Sequence, residues 1–131
     1  LMKPVYTLGL GCERGCDPLE LRQLAERVLA EAALSPGDLA GAFTIDQREH
    51  EPAIVAVADG LGISLSCYSA AQLEEQTPKL LNPSDAVFAL VGCHGVAEAA
   101  ALAGSGRLAR LIIGKTKSAH GTAALATGSS L

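Results

Sequence analysis

The glycine-rich turn that follows the first apolar run constrains this chain most. Val5 to Leu10 leads into Gly9-Leu10-Gly11-Cys12-Glu13-Arg14-Gly15-Cys16-Asp17-Pro18, and an amphipathic helix begins at Asp17. In sheet-and-helix proteins such a turn lies at the carboxyl end of a strand, where ligands usually bind. Gly9, Gly11 and Gly15 allow positive φ and close approach of backbone to a ligand. Asp17 can cap the helix, and Pro18 then takes the first helical position, where its missing N–H costs nothing.

The rest of the chain continues the alternation. Residues 5–10 read as a buried strand. Leu21, Leu24, Ala25, Val28, Leu29 and Ala32 recur at helical spacing from Asp17 to Leu34, with Arg22, Glu26, Arg27 and Glu31 opposite. Ser35-Pro36-Gly37-Asp38 ends that helix. Ala42 to Ile45 is a second strand, and right-handed crossover makes it parallel to the first. A polar loop, Asp46 to Glu51, precedes a helix from Pro52 to Leu61 that Gly62 closes. Ile63 to Cys67 is a third strand. Ser69 and Gln72 form a capping box, and Ser84 caps a helix to about Val91. Val96 to Ala103 is apolar all round and is expected to be buried. Leu108 to Ile113 is a fourth strand. The link Gly114 to His120 is too short for a helical crossover, so Thr122 to Ala126 returns antiparallel. The pattern predicts an α/β fold of three α/β/α layers. Its mixed, mostly parallel sheet has about five strands and ends in an antiparallel hairpin. Residues 1–131 are read as one domain, with Leu24, Val28, Ile45, Val57 and Ile112 in its core and the end from Gly128 frayed.

Composition excludes some classes. The net charge of −4 argues against a general binder of nucleic acid or anionic membranes. No apolar run approaches the roughly 20 residues of a membrane span, and no signal peptide precedes the first strand. Four cysteines in such a chain read as thiols rather than a disulfide framework, which points to the cytoplasm.

Several chemistries compete for the polar segments. The turn reads G-x-G-x-x-x-G, and the acid Asp46 stands too far along for a dinucleotide fingerprint. Anion binding by the exposed N–H groups of the turn asks for less. Cys12 and Cys16 lack a clean second pair of ligands for zinc and further nearby cysteines for an iron–sulfur cluster. No metal or cofactor is therefore expected. Cys12 beside a helix start is a candidate for a lowered pKa. Asp46, Arg48, His50 and Glu51 offer acid, base and cation in one loop. Lys115-Thr116-Lys117-Ser118 places two ammonium groups two residues apart, projecting together only if the segment stays extended.

Four blocks together resemble the CobE / CbiG C-terminal domain family of cobalamin biosynthesis: Gly9–Gly15, Thr44–Pro52, Gly92–Leu102 and Lys115–Ser118 with the small-residue strand after it. The short stand-alone length resembles the CobE type. The resemblance implies an α/β/α fold and a corrin-type (precorrin) tetrapyrrole ligand, with other cobalamin-pathway enzymes as partners. In the longer CbiG proteins it implies opening of the cobalt-precorrin-5A lactone with release of acetaldehyde. Glu13 departs from the family, whose members often carry a basic or neutral residue there.

Corrinoid side chains are acetates and propionates, so Arg14, Arg48, Lys115 and Lys117 are expected to pair with carboxylates. Gly9, Gly11, Cys12 and Gly15 would supply the turn and its N–H donors, and Thr116 and Ser118 their hydroxyls. For a hydrolytic alternative, Asp46 or Glu51 is the candidate general base and the lysines the oxyanion partners. A third alternative is an accessory protein that delivers the intermediate to a pathway enzyme. If strands one and four end at one sheet edge, the lysines face the glycine turn across a cleft, with Asp46 to Glu51 on its flank.

Overall fold

The structure is a computed structural model and describes residues 3–130. A five-stranded sheet runs in the order β3-β2-β1-β5-β4. Its strands are β1 (Pro4–Cys12), β2 (Leu39–Ile45), β3 (Leu65–Tyr68), β4 (Arg107–Lys117) and β5 (Gly121–Ser129). β1, β2 and β3 pair in parallel, and β5 is antiparallel to both β1 and β4. β4 therefore points the same way as β1, and the carboxyl ends of β1, β2 and β4 share one sheet edge.

The helices are α1 (Pro18–Glu31), α2 (Pro52–Leu61), α3 (Ala70–Glu74), α4 (Asp85–Val91) and α5 (Val96–Ser105). Their starts follow from local chemistry. The Asp17 carboxylate accepts from Leu19 N–H, the Ser69 and Ser84 hydroxyls accept from Gln72 and Val87 N–H, and Pro18 and Pro52 occupy first turns. On one face α1 and α2 bury Leu21, Leu24, Val28, Ile54 and Val57 against Leu8, Leu10 and Leu125. On the other, α5 lies across β1, β2 and β5, joined by Leu73 of α3. The α/β/α layering and the terminal hairpin expected from the sequence are both present.

Several details differ from the expectation. β4 runs on through Gly114-Lys115-Thr116-Lys117, because Thr116 and Lys117 still pair with Ala123 and Thr122. The true turn is only Ser118 to His120. Gly128 and Ser129 are not frayed; they pair with Val5 and Pro4, whereas Leu131 lies outside the described residues. α1 stops at Glu31, and Ala33 takes φ of +56° in a left-handed closure. Leu34 N–H then reaches Leu29 O at 2.9 Å and Ala33 N–H reaches Ala30 O at 3.0 Å. Finally, Leu24, Val28, Ile45 and Val57 are buried, but Ile112 is only half-buried because β4 is an edge strand.

No single helix among the described residues is long and apolar enough to cross a membrane.

Candidate functional site

The turn glycines serve packing more than ligand approach. A Cβ on Gly9 would stand 1.9 Å from the Ala97 carbonyl oxygen of α5, so Gly9 lets the helix press onto β1. A Cβ on Gly11 would stand 2.7 Å from the Thr122 hydroxyl. Of the three, Gly15 alone needs positive φ, at +78°. The turn is then fastened by the polar loop after β2. Arg48 Nε donates to Cys12 O at 2.9 Å, and Gly15 N–H donates to the buried Glu51 carboxylate at 3.3 and 3.4 Å.

Where the carboxyl ends of the strands meet the start of α5 lies a cavity of about 410 Å³. Gly11 and Cys12 of β1, Ile45 of β2, Lys115 and Lys117 of β4, and Gly121 and Thr122 of β5 line it from the sheet side. Ala86, Val87, Leu90 and Val91 of α4 form an apolar wall, continued by Val96 and Ala97. Gly95 precedes α5 with no side chain to cap it, so the helix brings its partial positive N-terminus to the cavity. β4 is extended as far as Lys117, and both lysines line the cavity with Arg48. α4 itself has no buried residue; Leu90 is 82% exposed and Phe88 and Leu81 are also exposed.

Of the residues expected at a site, the structure brings Gly11, Cys12, Arg48, Lys115, Lys117 and Ser118 to this cavity. The other six do not line it. Gly9 is beneath α5, Arg14 and Asp46 are exposed, Gly15 and Glu51 bond each other, and the Thr116 hydroxyl donates to Gly114 O at 3.0 Å. The Ser118 hydroxyl donates to Glu20 of α1 and accepts from Gly121 N–H at 3.1 Å, which ties the hairpin to α1.

Two acids at the cavity have other functions. Glu98 is 1% exposed, and its carboxylate accepts from the N–H groups of Leu81, Asn82 and Lys115 and from the Asn82 amide, at 2.8 to 3.1 Å. It thereby holds the backbone of β4 at Lys115 and the segment leading to α4 in place around α5. The apolar periodicity of α5 hid it; a lone acid in an otherwise apolar helix was the available signal. Glu13 accepts from His120 Nδ1 at 2.7 Å, and both residues line the mouth. His120 was not singled out because it stands in a polar turn far from Glu13 in sequence.

Cys12 is the reverse of the low-pKa thiol its place before a helix suggests. Burial pushes it up to about 12, with Cys16 and Glu51 adding to the effect and Arg48 opposing it. All four cysteines are free. Outside the cavity, His94 Nδ1 lies 2.8 Å from Glu74, its ring stacks on Phe88 of α4 at 4.5 Å, and Nε2 is 3.4 Å from Asp85. The hydrogen bond from His94 lowers the Glu74 pKa. This contact anchors the inner side of α4. Among the described residues no group of three or more His, Cys, Asp and Glu side chains could hold a metal ion.

The family model described as "Cobalamin synthesis G C-terminus" matches residues 6–126. Protein CobE of Sinorhizobium sp is 54% identical over 119 residues, covering 91% of this chain and 77% of that protein. Cobalt-precorrin-5A hydrolase of Priestia megaterium is 33% identical over 102 residues, which are 78% of this chain but only 27% of that protein. A crystal structure of CobE, a protein from the cobalamin (vitamin B12) biosynthetic pathway, superposes with a TM-score of 0.87 at 35% identity, over 95% of this chain and 90% of that one. The chain therefore belongs to the cobalamin synthesis G C-terminal family, as a CobE-like protein of cobalamin biosynthesis.

Proposed function

We propose that the cavity beneath α4 binds a corrin-type tetrapyrrole intermediate of cobalamin biosynthesis. The observation that carries this reading is the pairing of an apolar wall, Val87, Leu90 and Val96, with a rim of Lys115, Lys117 and Arg48. Such a ligand has the matching halves: a flat apolar ring and a fringe of carboxylates. Charge-assisted contacts would hold the fringe, and the N-terminus of α5 would add N–H donors. The volume falls within the roughly 300–1,000 Å³ of small-molecule sites, at a size that takes one side of a macrocycle. Leu90, in the cavity lining and exposed, would cover more of the ring. Ring left outside suits an accessory role, in which a pathway enzyme collects the intermediate. Four free thiols fit a cytoplasmic setting.

Hydrolysis is the second reading, favoured by the name of the Priestia megaterium relative, of whose length this chain spans about a quarter. Its candidate bases are less well placed than the binding groups. Asp46 is exposed and outside the cavity lining, and Glu51 is engaged by Gly15 N–H.

The test is a visible-spectrum titration with cobyrinic acid, a corrin polycarboxylate, and with its methyl esters. Binding predicts a saturable shift with the acid and little with the ester. No shift with the acid contradicts the reading, and new products detected by chromatography would transfer it to catalysis.

A further inference from the structure

Glu13 sets a negative charge at the mouth of a cavity rimmed by Lys115, Lys117 and Arg48. His120 lies against it. A carboxylate can only accept, so the imidazole carries its proton on Nδ1, 2.7 Å from Glu13, and this leaves Nε2 as the nitrogen that gains or loses charge. The His120 backbone N–H donates to Glu20 Oε2 at 2.6 Å, which ties the residue that carries the ring to α1.

We propose that Glu13 and His120 form a proton gate on the ligand site. With His120 protonated the pair is neutral, and Glu13 no longer offsets the pull of the cavity cations on a polycarboxylate. With His120 neutral, the bare Glu13 carboxylate repels the same ligand. This inference rests on the corrinoid reading of the cavity.

The charged groups facing His120 come from four elements. Glu13 in the turn after β1 and Glu20 on α1 favour its charged form. Lys115 and Lys117 on β4, and Arg48 after β2, share the cavity lining, and partial desolvation of the ring opposes its charged form. The acids prevail: the Glu13 hydrogen bond, then the charges of Glu13 and Glu20, raise the His120 pKa above its ordinary value of 6.5. Ligand carboxylates are already ionised at pH 6, and Cys12 is held neutral to about 12. The imidazole, its midpoint moved above 6.5, is thus the cavity-lining group whose charge changes around neutral pH.

The experiment measures cobyrinic acid affinity from pH 6 to 8.5 in wild type, H120Q and E13Q, with the His120 ring resonance followed by NMR in ligand-free protein. Wild-type affinity should fall about two- to fivefold across that window, the scale of an exposed charge pair. H120Q should bind weakly with a flat profile. E13Q should bind more tightly than wild type at pH 8.5, with the His120 midpoint moved down. A wild-type pH profile retained in H120Q, or an unmoved midpoint in E13Q, overturns the gate while leaving the ligand reading intact. No binding by wild type even at pH 6 overturns the ligand reading, and the gate with it.

Discussion

α4 and α5 follow one another in the chain and are both almost wholly apolar, yet their environments are opposite. α5 is built from small residues and is buried: Ala97, Ala99, Ala100, Ala101 and Leu102 lie in the core. α4, Asp-Ala-Val-Phe-Ala-Leu-Val, has no buried residue. The physical difference is how near a helix can come to the sheet. Alanine on the helix and Gly9 on β1 allow backbone-to-backbone contact, so α5 takes the centre of the sheet. The bulky side chains of α4 cannot follow. They stand off over the strand ends and leave a space with an apolar wall. Apolar helices are therefore not equivalent: one completes the core and the other walls the cavity.

The largest expected effect separates the two helices directly. Leu102→Ala, at a site 1% exposed, should lower unfolding stability by about 2–5 kcal/mol in urea. Leu90→Ala, at 82% exposure, should stay within about 0.5 kcal/mol of wild type. Equal losses would erase the distinction. Next, Gly9→Ala tests close approach. The added methyl meets a backbone carbonyl rather than a flexible side chain, so overpacking should cost about 1–3 kcal/mol. A neutral Gly9→Ala would mean α5 does not need that contact.

Much of the architecture was legible because it rests on local chemistry. Asp17-Pro18, the Ser69–Gln72 box, Ser84, Gly62 and Gly92 punctuate the helices where single residues suffice to do so. What stayed hidden depends on partners distant in sequence. Lys115-Thr116-Lys117 looks like a loop, and only pairing with β5 keeps it a strand. The glycines were read as making room for a ligand, but at Gly9 the occupant of that room is Ala97. Nor does composition tell α4 from α5. Glu51 looked like a free base in a polar loop, while its partner, the Gly15 N–H, lies in another block.

A smaller effect probes the sheet side of the cavity through pH. The Cys12 pKa, raised to about 12 from near 9 by burial, favours the neutral thiol in the folded state. Its contribution to stability is complete below about pH 9 and is lost as pH rises through 12. The melting temperature of wild type should therefore drop more between pH 9 and 11 than that of Cys12→Ala. Parallel profiles would show that Cys12 is not desolvated there.

The most direct measurement is calorimetric titration of cobyrinic acid into wild type and the K115A/K117A double variant at low and high salt, with circular dichroism as the folding control. Both lysines line the cavity and stand on an edge strand, so their removal should leave the fold intact. The account predicts one ligand per chain for wild type, weakened by salt. It predicts binding about 1–3 kcal/mol weaker for the folded double variant, with little remaining salt dependence. Unchanged affinity in a well-folded K115A/K117A protein would contradict the assignment of this cavity as the corrinoid site.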